Sequence, residues 1–279
     1  NPQNNAVIQD QYPNIASKQK RTDIRKVDQS KIAIITDLTQ SECVQKYDHV
    51  YSIQYDPLHN IKSFQDLYTD LVKNEYGQIY MICPKAEIWP THHYAKDALS
   101  KKLFPFVKVI NSNTCGLGVE TLLTELCRLI YNTNQHNNII NSINIIKKSL
   151  RYWVISDNLS DLLSKTWFET WLDSNKYSKQ INKNIFPLFG LDNNFQVLET
   201  AYKFSAGIDH LLNHVSQECK VRKDHAVTVS ITFYQHDAYA RYIASKLKEQ
   251  FFQSISIQCN EASEEHIALF GAHVGLSLI

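Results

Sequence analysis

The stretch KIAIITDLTQ, Lys31 to Gln40, decides the fold because it contains the first clear strand of the chain. Its first half is almost entirely strand-forming and apolar, which predicts a buried strand. The sequence then turns polar at Thr36-Asp37-Leu38-Thr39. In parallel α/β sheets, ligands usually bind outside the carboxyl ends of the strands. Thr36, Asp37 and Thr39 are therefore candidate ligand-binding residues, and capping of the following helix by Asp37 or Thr39 explains the same pattern.

Strand patterns alternate with helix patterns over the rest of the chain, which is typical of crossover units and a mostly parallel, helix-covered sheet. The predicted strands are KIAIIT, HVYSIQY, QIYMIC, VKVIN, YWVIS, VTVSITF, SISIQC and HIALFG. The predicted helices are SFQDLYTDLVKN, THHYAKDALSKKL, GVETLLTELCRLIYNT, NIINSINIIKKSL and DAYARYIASKLKEQF, with a hairpin predicted near residues 181–204.

Length and composition predict two cooperating domains. The chain has 279 residues, of which 43% are hydrophobic and 20% charged, enough to bury a large core. Residues 1–30 show no hydrophobic period and predict a mobile polar arm. Residues 31–150 predict an N-terminal α/β domain, and residues 151–279 predict a C-terminal α/β domain.

The charge and cysteine content exclude several classes of protein. The net charge of +1 favours neither nucleic acid nor an anionic membrane as a partner. No apolar run has the length of a membrane span, and no secretion signal is seen, so a cytoplasmic location is expected. The six cysteines form no CxxC pair, which predicts reduced thiols with no structural metal site.

A second strand end lies at KVINSNTCGLGVETLL, where Asn111 and Ser112 follow the strand and are further candidate ligand-binding residues. The glycines of the CGLG segment begin a GxG pattern, but Thr121 stands where the third glycine of a dinucleotide fingerprint belongs. Close packing of a helix on a strand explains these glycines without a nucleotide.

Two histidine-containing segments invite a catalytic interpretation. Cys83, His92 and His93 lie close together in CPKAEIWPTHHYAKDAL, but no orienting carboxylate or oxyanion device accompanies them. His273 lies between two apolar stretches of HIALFGAHVGLSLI, where a buried core histidine is the usual reading. Because no nucleophile, base and oxyanion set converges, the sequence predicts a protein that is not an enzyme.

Four segments together resemble the DegV family of bacterial fatty acid binding proteins. They are KIAIITDLT, VINSNTCGLGVETLL, IFPLFGLDNNFQVLETAYKFSAGIDHLL and the terminal FGAHVG, and their order and spacing fit the family from about Lys31 to the end. The resemblance implies two α/β domains with a long-chain fatty acid held in the cleft between them. It also implies a partner kinase that phosphorylates the bound fatty acid, and no other cofactor.

The resemblance places Thr36, Asp37, Thr39, Thr91, Asn111, Ser112 and His273 around the lipid head group. Several positions of the family pattern differ in this chain. Lys85, Ala86 and Trp89 occupy serine positions, and Pro90 replaces a glycine. Lys165-Thr166-Trp167 stands for Gly-Gly-Arg, Tyr202 for an arginine, and His273-Val274-Gly275-Leu276-Ser277 for His-Thr-Gly-Pro-Gly.

These differences leave two functions open. In the first, the protein is a DegV-like lipid carrier that presents a fatty acid to a kinase. In the second, it is a degenerate relative that has lost the lipid and serves as a structural or interaction subunit of a larger assembly. Bulky Trp89 and Trp167 favour the second function, because they fill space and remove hydrogen-bond donors.

Overall fold

The structure, a computed structural model, describes residues 28–38, 41–54, 60–86, 88–99, 106–133, 139–157, 162, 185–192, 194–222, 225–251 and 255–279. Three predicted features lie outside these ranges: most of the polar arm (residues 1–27), the candidate ligand-binding residue Thr39, and the segment Lys165-Thr166-Trp167.

The first sheet has four parallel strands in the order β2-β1-β3-β4. They are β1 (Asp28–Thr36), β2 (Val50–Ser52), β3 (Tyr76–Cys83) and β4 (Val107–Asn111). In the central strands, residues 32–35 of β1 and 79–83 of β3 form continuous apolar runs because helices cover both faces of the sheet there. Since β1 begins at Asp28, residues 28–30 belong to this sheet and not to the predicted arm.

Helices lie on both faces of the first sheet, and the alternation of side chains along β1 decides which helix each residue meets. Ile32 and Ile34 pack with residues of α4 and α5, while Ala33 and Ile35 pack with residues of α2 and α3. The helices of this half are α1 (Glu42–Lys46), α2 (Asn60–Lys73), α3 (Thr91–Asp97), α4 (Leu117–Thr133) and α5 (Ile139–Ser149).

The second sheet has six strands in the order β7-β6-β5-β10-β8-β9, and only the β8–β9 pair is parallel among its pairings. Its strands are β5 (Arg151–Ser156), β6 (Phe186–Asp192), β7 (Asn194–Ala201), β8 (Val227–Tyr234), β9 (Ile255–Glu261) and β10 (His273–Leu278). Its helices are α6 (Phe204–Val221), α7 (Asp237–Phe251) and α8 (Glu264–Phe270).

The predicted fold class is confirmed, since a parallel, helix-covered sheet is joined to a second sheet with helices of its own. The predicted boundary at residues 150 and 151 falls between α5 and β5, and as a domain boundary it stays a prediction. None of the described helices combines the length and the apolar character needed to cross a bilayer.

One predicted element is wrong. The run HIALFG was predicted as a strand, but residues 264–270 form α8, and the terminal strand β10 begins only at His273. A short apolar run cannot be assigned by periodicity alone. The signal that could have found the helix is Ser263 followed by two glutamates, since Ser is a preferred N-cap residue and acidic groups favour a helix amino terminus.

The two sheets meet through α4, which packs on β10. The hydroxyl groups of Thr121 on α4 and Ser277 on β10 are hydrogen-bonded to each other. The last residue, Ile279, packs against the core of the first half. An apolar cluster, called the junction cluster below, spans both halves and comprises Ile88, Cys115, Leu117, Tyr152, Val154, Leu162, Ile185, Phe189, Leu269 and Phe270.

Candidate functional site

The candidate site lies at the carboxyl edge of the first sheet, where three strands end in polar loops. Because β1, β3 and β4 are parallel, residues 36–38, 83–85 and 111–114 meet at one edge. Backbone hydrogen bonds join two of these loops: Ser112 N–H donates to Cys83 O at 2.9 Å, and Lys85 N–H donates to Thr114 O at 2.7 Å. This edge faces the second sheet across the junction cluster.

Asp37 and Thr91 are brought together by the fold. The Thr91 hydroxyl donates to Asp37 Oδ2 at 2.8 Å, and both side chains are buried. The bond ties the loop after β1 to the first turn of α3. Thr36, fully buried beside them, accepts a hydrogen bond from the Leu38 N–H at 3.2 Å through its hydroxyl. Three predicted residues therefore lie together at the end of β1.

The side chains of Asn111 and Ser112 form hydrogen bonds within the turn that follows β4. Asn111 Oδ1 accepts from the Asn113 N–H at 2.9 Å, and Asn113 has a positive φ of 62°. Ser112 Oγ accepts from the Thr114 N–H and donates to the Thr114 carbonyl, each at 3.2 Å. These side chains shape the loop before α4, and their role toward a ligand stays a prediction.

His273 is buried and neutral. Its Nδ1 lies 2.7 Å from Gly271 O, and this contact assigns the ring proton to Nδ1. Burial lowers the pKa of His273 to about 4, with His266 and His236 adding to the decrease and the Gly271 carbonyl opposing it. A neutral imidazole offers no positive charge to a carboxylate at pH 7. The predicted role of His273 as a carboxylate holder stays a prediction.

A cavity of about 260 Å³ opens beside Asp37 at this junction. Its walls are mainly apolar, with two carboxylates and one amide at its rim. The lining residues are Asp37, Leu38, Gln54, Pro84, Ile88, Trp89, Gly116, Glu264, Ala268 and Leu269. Below, this space is called the apolar cavity; His273 does not line it.

The amino terminus of α4 faces the apolar cavity through Gly116. This glycine has a positive φ of 49°, and a Cβ there would lie 2.9 Å from His266 Cδ2 and 3.4 Å from the Tyr152 hydroxyl. Only glycine brings the backbone so close to these rings without strain. The amino end of this 17-residue helix carries partial positive charge, which favours a nearby anionic group, although the N–H groups of Gly118, Val119 and Glu120 already donate to backbone carbonyls.

His266 is the histidine that sequence reasoning missed. It lies on α8, is only 5% exposed, and contacts the Gly116 backbone position. It lines a second, larger cavity of about 880 Å³ between α4 and the β8–β9 face of the second sheet. Assigning HIALFG to a strand hid this residue, because only a helix turns His266 toward α4.

Trp89 lies at the junction between the two halves. Its half-buried ring lines the apolar cavity and packs against the junction cluster. Trp89 therefore lies at the cavity, and the loss of lipid space through its bulk stays a prediction, whereas Trp167 lies outside the described residues. Tyr202, at a family arginine position, is 69% exposed.

Cys83, one of the groups considered for catalysis from the sequence, is not an activated thiol. Burial, reinforced by the nearby Asp37 charge, raises the pKa of Cys83 well above its ordinary value, so its thiol stays protonated. All six cysteines are free. Within the described ranges, no group of three or more His, Cys, Asp or Glu side chains is placed to hold a metal ion.

Comparison with solved structures identifies the architecture. DegV from Bacillus subtilis, a fatty acid binding protein, superposes with a TM-score of 0.71 at 16% identity, covering 89% of this chain and 98% of its own. The chain has the DegV fold. No family model and no curated protein matches the sequence.

Two further proteins of the DegV fold are described as binding fatty acids. A stearic acid-binding protein from Eubacterium ventriosum has a TM-score of 0.73 at 11% identity, covering 89% of this chain and 98% of its own. A fatty acid binding DegV family protein from Thermus thermophilus has a TM-score of 0.72 at 11% identity, covering 89% and 99%. At these identities the shared property is the DegV fold, and function must come from the site.

Proposed function

We propose that the protein binds the acyl chain of a fatty acid in the apolar cavity, between the two halves of its DegV fold. The observation that carries the proposal is the apolar cavity itself, which lies at the carboxyl edge of the parallel sheet and beside a helix amino terminus. Solved proteins of the same fold that bind fatty acids support it. The function is binding, without a chemical step by this chain.

The hydrophobic effect supplies the affinity. Burying about eight methylene groups against Leu38, Ile88 and Leu269 contributes roughly 6 kcal/mol before the costs of association. The cavity, at about 260 Å³, lies just below the usual range of about 300–1,000 Å³ for ligand sites. To hold a long acyl chain, the cavity must therefore widen, which requires the side chains packed around Trp89 to move apart.

The head group belongs at Gly116 in this proposal. The Thr91 hydroxyl already donates to Asp37, so it can only accept a further hydrogen bond. Asp37 and Glu264 line the cavity, and their negative charges repel the carboxylate of the fatty acid. The amino end of α4, which lines the cavity through Gly116, is the neighbouring element with positive partial charge. Roles for Thr36, Asp37, Thr39, Thr91, Asn111, Ser112 and His273 at the head group remain proposals that rest on the resemblance.

Extraction of the purified protein followed by mass spectrometry tests the proposal directly. Binding of palmitate, measured by calorimetry, should then be abolished by Ala268→Trp, because Ala268 is exposed and lines the cavity. Ala238→Trp, an exposed α7 alanine that lines neither cavity, is the matched control. Protein free of lipid that also fails to take up palmitate would refute the carrier function.

A kinase partner extends the proposal by resemblance, and a cytoplasmic location extends it as an expectation drawn from the sequence. In this extension, the carboxylate of a fatty acid bound in the apolar cavity would be the group presented to the kinase. Binding of palmitate with no phosphorylation by extracts of the source cell would remove the kinase and leave the carrier.

A second function is favoured by the packing at the junction. The junction cluster packs residues of both halves against one another, and Trp89 packs against it. This favours a degenerate DegV-like protein that has lost the lipid and serves as an interaction subunit. Native mass spectrometry of the full chain and of residues 28–279 tests whether residues 1–27 mediate assembly. Equal oligomeric masses of the two proteins would exclude a role of residues 1–27 in assembly.

A further inference from the structure

The second cavity, called the polar cleft below, has walls of a different chemistry from the apolar cavity. It encloses about 880 Å³ between α4 and the β8–β9 face of the second sheet. One wall consists of neutral hydrogen-bonding side chains from two adjacent strands. These are Thr228, Ser230 and Thr232 on β8 with Ser256, Gln258 and Asn260 on β9.

The polar wall follows from strand geometry. Alternate residues of a strand face opposite sides, and β8 puts Val227, Val229 and Ile231 into the core under α6 and α7. The other side then carries the polar residues. The parallel register aligns them in three rows, Thr228 with Ser256, Ser230 with Gln258, and Thr232 with Asn260. The result is a regular array of donors and acceptors facing one cavity.

These six side chains have unused hydrogen-bonding capacity. Among the described residues, none of them makes a side-chain hydrogen bond. Thr232 is the sharpest case, because it is only 5% exposed yet lines the polar cleft. The Thr232 hydroxyl makes no hydrogen bond within the described part of the protein, so its donor and its acceptor are both available to water or to a ligand group inside the cleft.

The charges of the residues that line the polar cleft nearly balance. Two basic and three acidic residues line it, and Arg128 Nη2 pairs with Glu125 Oε2 at 2.8 Å. Glu120 Oε1 accepts a hydrogen bond from the Ser41 hydroxyl at 2.9 Å. The cleft thus offers no concentrated charge for a phosphate or a cation, while hydroxyl and amide side chains match ligand hydroxyl groups.

We infer that the polar cleft is a binding site for a neutral polyhydroxyl ligand, a sugar or a polyol. Its volume fits the usual range for small-molecule sites, and the three rows of Ser, Thr, Gln and Asn provide donors and acceptors on one wall. Because Leu38 lines both cavities, the same chemistry serves a free sugar or the sugar head group of a lipid whose chain enters the apolar cavity.

Calorimetry and saturation-transfer NMR on the full chain test the inference with glucose, galactose, maltose, myo-inositol and octyl glucoside. At least one should bind, and Thr232→Val and Gln258→Ala should each weaken it about fivefold, the loss of one hydrogen bond. Gln258 is exposed, so that variant keeps the core intact. Thr200→Val, a half-buried β7 threonine that lines neither cavity, should leave binding unchanged.

Each outcome decides the question. Binding of octyl glucoside that is weakened by Thr232→Val, with no binding of the free sugars, supports a lipid-borne sugar. The inference is overturned if no probe binds at concentrations up to about 10 mM, or if Thr232→Val and Gln258→Ala both leave the affinity unchanged. Palmitate binding measured in the same variants keeps this result separate from the proposed function, since Ala268→Trp should block palmitate and leave glucose unaffected.

Discussion

Thr91 donates a hydrogen bond to Asp37 across 54 residues of sequence, and this contact fixes the loop after β1 against the first turn of α3. Both residues were candidates from the sequence, one at a strand end and the other in a segment of altered family pattern. Their hydrogen bond shows that Asp37 both stabilises the contact between the β1 loop and α3 and forms part of the cavity wall.

We expect Thr91→Val to destabilise the protein by about 1–3 kcal/mol, because it removes a donor from the buried Asp37 carboxyl. Urea unfolding measures the change. Thr91→Ser should restore most of the stability, since the hydroxyl returns. Thr69→Val is the control, because the exposed Thr69 bonds only to Gln65 O within its own helix. Equal effects of the two valine variants would show that the Asp37 bond contributes little.

Gly116→Ala should cost about 1–3 kcal/mol, for two separable reasons. The positive φ is strained for any residue with a Cβ, and that Cβ would lie 2.9 Å from His266 Cδ2. His266→Ala removes the clash but not the backbone strain. In a double-mutant cycle, the cost of Gly116→Ala should therefore fall, without vanishing, in the His266→Ala background. An unchanged cost would mean that the ring moves aside freely.

His273 should make the protein less stable in mild acid. Its folded pKa of about 4 lies below the ordinary value of 6.5, because burial disfavours the charged ring. Between those values the unfolded state binds the proton and the folded state does not, so stability is complete above pH 6.5 and falls as the pH drops toward 4. The loss sums to about 3 kcal/mol.

Unfolding curves of His273→Asn and wild-type protein, compared at pH 7 and pH 4.5, test this dependence. The difference between the two proteins should shrink at the lower pH. His93→Asn, at an exposed position, is the matched control and should retain the wild-type profile. A parallel pH dependence in all three proteins would place the acid sensitivity elsewhere.

Alkylation of the folded protein should modify one cysteine. Cys259 is exposed on β9, whereas the other five cysteines are buried. Burial also raises the pKa of Cys83 and Cys115, which keeps both thiols protonated. Intact-mass measurement after iodoacetamide treatment should show a single adduct, and Cys259→Ser should show none. Several adducts before unfolding would reveal opening of the core.

The order of strands and helices could be predicted because it depends on local pattern. The apolar runs at 107–111 and 227–233 and the helical spacing at 237–251 carry their own period, and the strand and helix bounds follow them closely. The strand-end position of Thr36 and Asp37 was predictable for the same reason, since a parallel sheet collects its strand ends at one edge.

The sequence by itself determined the elements, the parallel first sheet and the resemblance to a two-domain fold, because hydrophobic period and turn chemistry act between near neighbours. Only the tertiary structure decided that Thr91 meets Asp37, that His266 on α8 lies beside Gly116, and that Trp89 lines the apolar cavity. These contacts join residues far apart in the chain. Their partners are chosen by packing of whole elements, and packing leaves no periodic signal in the sequence.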